Sequence, residues 1–216
     1  MQTADAREQM VEQQVRAWDV LDVRVLSILR QVPRELFVPA GQSFAAFADA
    51  QVPLPCGQHM LRPSVVGRLL QALQLTPGER VLEVGAGSGF ISACLRAAGT
   101  QVRTLEIFPE LAALASTNLA ALGMSDVEVA TADALAAAGG LRFAAIAVTG
   151  SLPLYQPCFE RQLEIGGRLF VAVGEPPVMD ARLIRRVSEG AWTTESLFET
   201  VIDPLVNAPR TPAFVF

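Results

Sequence analysis

The sequence predicts an α/β fold: a mostly parallel, doubly wound sheet, preceded by a helical cap and closed by antiparallel strands. Three observations predict it. From Val65 onward short apolar runs alternate with amphipathic stretches, the pattern of a parallel sheet covered on both faces. Residues 81–90 read VLEVGAGSGF, so a strand passes through Glu83 into glycines at alternate positions, Gly85, Gly87 and Gly89, with an amphipathic stretch over 91–98 directly after. Glycine is needed where backbone turns at positive φ or touches a ligand, and such a turn aims a helix N-terminus at whatever binds there. Near the C-terminus the pattern changes to two runs, 182–188 and 196–201, flanking Glu189-Gly190 as in an antiparallel hairpin.

Taken in order, residues 1–64 form the cap and an arm. Met10, Val11, Val15 and Trp18 share one helical stripe. Asp22 is placed to cap a second helix, with Leu21 and Leu26 as a hydrophobic staple, and Pro33 stops it. The stretch 33–63 holds five prolines with Gly41 and Gly57, and reads as an ordered but irregular arm. In the core, 65–175, a helix over 65–75 ends at Thr76-Pro77-Gly78. Strands are expected near 80–84, 101–106, 127–131, 143–148 and 168–173, and helices near 89–98, 109–122 and 154–164. Pro109 and Pro153 stand where a first-turn proline belongs, Gly99 and Gly123 where a closing glycine belongs. The alanine-rich stretch 132–138 reads as a short helix or loop. The last segment, 176–216, adds the hairpin and a candidate edge strand at 213–216. All of it fits one domain.

Composition bounds the function. The chain has 216 residues, 51% hydrophobic and 18% charged, ample for one buried core. No apolar run approaches the roughly 18 residues of a membrane span, and the polar start, MQTADAREQMVEQQ, lacks the apolar region of a secretory signal. Cys56, Cys94 and Cys158 are odd in number and widely spaced, which suits reduced thiols in a cytoplasm and neither a disulfide framework nor a metal site. A net charge of -5 argues against a nucleic-acid partner. All 17 basic residues are arginine, so lysine Schiff-base or general-base chemistry is excluded. A monomer is the favoured state.

The glycine spacing narrows the ligand. A dinucleotide fingerprint would place its third small residue at position 90, which is Phe90. The order Glu83, Gly85, Gly87, Gly89, with Ala86 and Ser88 between, instead looks like the first motif of S-adenosylmethionine (SAM)-dependent methyltransferases with a Rossmann-like sheet. Glu106, ending the run 102–105 with Ile107 beside it, is placed to accept hydrogen bonds from both ribose hydroxyls; a solvated acid at a strand end is the plainer reading. Asp133, with Ala134, suits the adenine amino group or serves as a helix N-cap. Thr149 and Ser151 fall at the C-terminal mouth of the sheet, where α/β ligands bind, as spare hydroxyls or ordinary turn residues.

Longer segments extend the likeness. Residues 10–39, Phe47-Ala48-Asp49, Pro53-Leu54-Pro55 with Gly57-Gln58, Thr76-Pro77-Gly78-Glu79-Arg80, residues 163–169 and Asp203-Pro204-Leu205-Val206 resemble the protein-L-isoaspartate O-methyltransferase family over nearly the whole chain. The resemblance implies SAM as cofactor, S-adenosylhomocysteine as product, and repair chemistry that methylates the abnormal carboxylate of isoaspartyl residues in a protein or peptide. One departure stands out. Where the family carries Thr-Ile-Ser before a proline, with the serine hydroxyl at the reacting centre, this chain reads His59-Met60-Leu61-Arg62-Pro63. Leu61 takes the serine position and His59 the threonine position. Phe143-Ala144 and residues 148–153 also depart from the family pattern. His59 is then a candidate base for a hydroxyl or amine nucleophile, and Arg62 a candidate fork for a substrate carboxylate. The alternatives are a methyltransferase for another, small-molecule acceptor, a SAM-binding protein without catalysis, and, last, a nicotinamide oxidoreductase.

Overall fold

Seven strands form one sheet in the order β5-β4-β3-β6-β7-β8-β9, parallel from β5 to β7 and antiparallel across β7-β8-β9 in the computed structural model, which describes residues 3–136 and 140–210. The strands are β3 (Arg80–Val84), β4 (Gln101–Glu106), β5 (Glu128–Thr131), β6 (Phe143–Leu152), β7 (Leu163–Glu175), β8 (Val178–Ser188) and β9 (Ala191–Thr200). The chain winds outward from β3 through β4 to β5, then returns to start β6 on the other side of β3. The connections leaving the carboxyl ends of β3 and β6 therefore run to opposite sides of the sheet order, and such a switch point is where an open α/β sheet binds its ligand.

One face of the sheet, with Val81, Val102, Ala145, Ala147 and Phe170, packs on α3 (Pro63–Leu73), α4 (Phe90–Ala97), α5 (Pro109–Ala121) and the cap. In the cap, α1 (Thr3–Met10) runs on through a wide π turn and a tight 3₁₀ turn to Trp18, burying Met10, Val11 and Val15. Trp18 stays 38% exposed, its ring edge-on to Phe198. Asp22 does cap α2 (Val23–Gln31), accepting from the Arg24 amide at 2.8 Å. The staple does not form, because Leu21 is 67% exposed while Leu26 is buried. The arm contains a small hairpin the sequence did not announce, β1 (Val52–Pro53) against β2 (His59–Met60).

The opposite face corrects the expected helix at 154–164. Only a 3₁₀ turn, Glu160–Gln162, forms there. Pro157 would have fallen in the helix interior, where it removes an amide donor and clashes with the preceding turn, and it biases Gln156 to extended backbone. Phe159, fully buried, fills the space against Leu82, Ile146 and Leu169 instead. Strand β7 starts five residues earlier than expected: Gly166, at φ +82°, lets the chain bulge at Gly166-Gly167 and keep pairing rather than turn. The hairpin is correspondingly longer. The proposed edge strand at 213–216 and part of the alanine-rich stretch lie outside the described residues; Ala134–Ala136 form a turn.

Candidate active site

A cleft opens at the carboxyl ends of β3, β4, β5 and β6, where open α/β sheets bind small molecules. Its floor is the glycine turn. Gly85 has φ +98°, and a Cβ there would sit 2.6 Å from Thr149 Oγ1, so only glycine fits. The Thr149 hydroxyl shares its one proton between the carbonyls of Val84 and Gly85, at 2.9 and 2.7 Å, stitching β6 to the turn. Gly87 lines the cleft beneath Leu54 of the arm. Gly89, at φ +87°, is not in the lining of this cleft; it starts α4 where a Cβ would press on the Ala115 backbone at 3.2 Å. That closeness sets how α4 lies against α5.

Two carboxylates face the cleft from successive strand ends. Glu106, 5% exposed, accepts from the Gly87 amide at 2.9 Å and the Phe108 amide at 3.1 Å. Its oxygens are thus fixed in place with lone pairs still available, since each can accept twice. Asp133 accepts from the Leu135 amide and from Asn207 Nδ2, each at 2.9 Å. Ile107 and Ala134 line the wall beside them.

Glu83 is elsewhere. It is fully buried behind the turn, and the Ser92 hydroxyl of α4 donates to its Oε2. Its Oε1 has no protein partner, nor does Thr104 Oγ1, its register neighbour on β4. Burial pushes this carboxyl up to about 8, against the pull of the Ser92 bond. Glu83 supports the turn from below and does not reach the cleft.

A smaller chamber adjoins the cleft on the arm side, with Ala86 and Ser88 of the turn in its wall. His59 borders both spaces. Its Nδ1 lies 2.8 Å from Asp203 Oδ2, a partner 144 residues away. Leu61, 6% exposed, lines the chamber with Met60. Arg62 lines neither space: as the residue before Pro63 it is extended, at φ -60° and ψ 145°, and it opens α3. The cation at the chamber is Arg34, which is fully buried. It donates to the carbonyls of Ala46 and Leu61, at 3.1 and 2.9 Å, and stacks on Phe90. Burial pushes it down to about 10, so it stays charged at neutral pH.

Ser151 is not a spare hydroxyl. It is fully buried, and it zips β6 to the segment after β9: its hydroxyl donates to the Ile202 carbonyl, its amide to the Asp203 carbonyl, and its carbonyl accepts from the Leu205 amide. That zip places Asp203, which sequence reasoning matched to a family segment without giving it a role. Asn207 and Arg34 were missed as well. Each acts through a partner far along the chain, so no local spacing announces it.

Among the described residues no group of three metal-ligating side chains is present and no helix is long and apolar enough to cross a membrane. A sequence profile described as protein-L-isoaspartate(D-aspartate) O-methyltransferase matches residues 5–209. The chain is 39% identical over 207 residues to protein-L-isoaspartate O-methyltransferase 1 of Rhodopseudomonas palustris, covering 94% of this chain and 84% of that one. It is 38% identical over 181 residues to protein-L-isoaspartate O-methyltransferase of Koribacter versatilis, covering 83% and 82%. In structure it is similar to a Plasmodium falciparum protein described as a putative protein-L-isoaspartate O-methyltransferase in complex with S-adenosyl-L-homocysteine. The TM-score is 0.80 at 19% identity, over 92% of this chain and 97% of that one, which bears on the fold. With the cleft at the sheet's switch point and the match running nearly end to end, the chain belongs to the protein-L-isoaspartate (D-aspartate) O-methyltransferase family.

Proposed function

We propose that this chain transfers a methyl group from SAM to the side-chain carboxylate of an isoaspartyl residue in damaged protein or peptide. The observation that carries the reading is Glu106: a carboxylate at the end of β4, pinned by two turn amides and facing the cleft, is what a ribose diol needs. In this reading Gly85 and Gly87 admit the close approach of the ligand to the backbone. Ala86 and Ser88 separate it from the acceptor chamber. Glu106 and Ile107 hold the ribose, and Asp133 and Ala134 the adenine end. Thr149, Gly89 and Glu83 keep the turn in shape.

When bound, SAM supplies an electrophilic methyl on a sulfonium sulfur. A carboxylate acceptor is already a nucleophile at neutral pH and needs no base. The protein has to hold one of its oxygens about 3 Å from the methyl carbon and keep water away. Where the family places a serine hydroxyl for this, Leu61 offers only an apolar wall. One positioned hydrogen bond is worth about 1–3 kcal/mol, roughly 10- to 100-fold in rate, so isoaspartyl turnover is slower here, not absent. We further read the protein as a cytoplasmic monomer that avoids nucleic acid, on its acidic balance and three free cysteines.

The test is kcat/KM on an isoaspartyl peptide against its normal aspartyl twin. A preference of about 100-fold or more supports repair. Equal rates, or turnover of neither by protein that binds S-adenosylhomocysteine, would replace it with another acceptor.

A further inference from the structure

His59 and Asp203 are more than a carboxylate acceptor requires. The imidazole Nδ1 and Asp203 Oδ2 are 2.8 Å apart, and both residues border the cleft. Neither is a buried structural ion: their side chains are 35% and 32% exposed. Asp203 is held on both sides by the three hydrogen bonds of Ser151, and His59 by the β1-β2 hairpin, where it pairs with Pro53. Arg34, bonded to the Leu61 carbonyl, fixes the strand just beyond it. A carboxylate at Nδ1 keeps the proton there and leaves Nε2 as the basic nitrogen. Among the described residues Nε2 has no protein hydrogen bond.

The chamber that His59 shares with the cleft is lined mainly by Leu54, Met60, Leu61, Val66, Phe90 and Ile91; Arg34 is bonded to backbone through Nε and Nη2 and stacked on Phe90, which leaves its Nη1 as the unpaired donor there. The apolar walls suit an apolar body carrying an oxygen acceptor for the free Arg34 Nη1, and a site-facing base suits a nucleophile that must lose a proton. Base catalysis is most effective when the acidities of donor and base are not far apart, which favours a phenolic hydroxyl over an aliphatic one. We propose that His59 is a general base, oriented by Asp203, for methylation of a phenolic hydroxyl on an apolar acceptor, an activity beyond the carboxylate reaction.

The inference rests on the reading that SAM occupies the cleft. In the step, the acceptor oxygen forms the new O–CH3 bond as the S–CH3 bond breaks with its electron pair remaining on sulfur. The phenolic proton passes to His59 Nε2 and then to water, so the products are the methyl ether, S-adenosylhomocysteine and one proton. Asp203 is a positioning residue that acts through His59.

His59 is the sole histidine, so its ring nitrogens give one unambiguous NMR signal set. At alkaline pH the proton is expected on Nδ1 in the wild type and redistributed toward Nε2 in Asp203→Asn. In turnover, 4-methylphenol is methylated at a rate that rises with pH. His59→Gln lowers that rate about 100-fold and loses far less on 4-nitrophenol, which ionises without help. Asp203→Asn lowers kcat about tenfold or more with KM for 4-methylphenol little changed. An Nε2-protonated ring in the wild type, or equal losses on the two phenols, overturns the dyad. No transfer to 4-methylphenol by protein that methylates isoaspartyl peptide also overturns it and leaves the repair reading standing. Failure to bind S-adenosylhomocysteine removes both.

Discussion

Replacing Glu83 by glutamine tests how the cofactor turn is supported. The carboxyl is fully buried, with one oxygen bonded by Ser92 and the other unpaired, and burial lifts it from 4.5 to about 8. The folded protein therefore keeps a proton that the unfolded chain releases. Stability is intact below the unfolded value, near 4.5, and is lost as pH rises toward the folded value, near 8. At about 1.4 kcal/mol per pH unit, this gap of some 3.5 units costs up to about 5 kcal/mol above that window. A glutamine takes the Ser92 bond on its carbonyl and cannot ionise. Urea unfolding at pH 5, 6, 7 and 8 is the assay. Relative to wild type, the advantage of Glu83→Gln should grow by about 3–4 kcal/mol between pH 5 and pH 8. A difference that does not change with pH would refute the reasoning, because Glu83 would then be an ordinary ionised carboxylate.

Three further substitutions probe the site. Gly85→Ala adds about 1–3 kcal/mol of backbone strain at φ +98° and drives its Cβ into Thr149 Oγ1; calorimetry should show a lower Tm together with weaker S-adenosylhomocysteine binding. Glu106→Gln frees one of the two turn amides and removes the charged acceptor, raising the Kd for S-adenosylhomocysteine about 10- to 100-fold by isothermal titration with little change in Tm. Leu61→Ser restores the family hydroxyl: kcat/KM on an isoaspartyl peptide should rise about 10- to 100-fold, at a stability cost of about 2–3 kcal/mol because Leu61 is 6% exposed. An unchanged rate would show that Leu61 does not face the acceptor carboxylate.

The parts of the fold visible in the sequence were those decided locally. Asp22 caps α2, Pro109 opens α5, and the alternate glycines turn between β3 and α4 because each acts on backbone within a few residues. Local signals also misled. Pro153 resembled a helix start, yet Pro157 four residues later forbade the helix, and β7 begins at Leu163, ahead of the strand expected near 168–173, by bulging at Gly166-Gly167. Glu106, Asp133 and Thr149 were placed at the cleft from their positions after predicted strands. Glu83 and Arg62, chosen for charge and nearness to a motif, face elsewhere, since nearness in sequence does not set side-chain direction. The pairs His59 with Asp203 and Arg34 with the Leu61 carbonyl span 144 and 27 residues; only the folded sheet brings them together.

The most direct measurement of the central claim is the chemical nature of the product after labelled methyl is transferred from SAM to an isoaspartyl peptide. A carboxyl methyl ester is cleaved by mild base, whereas an ether or amine is not. The account predicts base-labile label on the isoaspartyl peptide and none on the aspartyl twin. Label that survives base, or that marks both peptides alike, would contradict it.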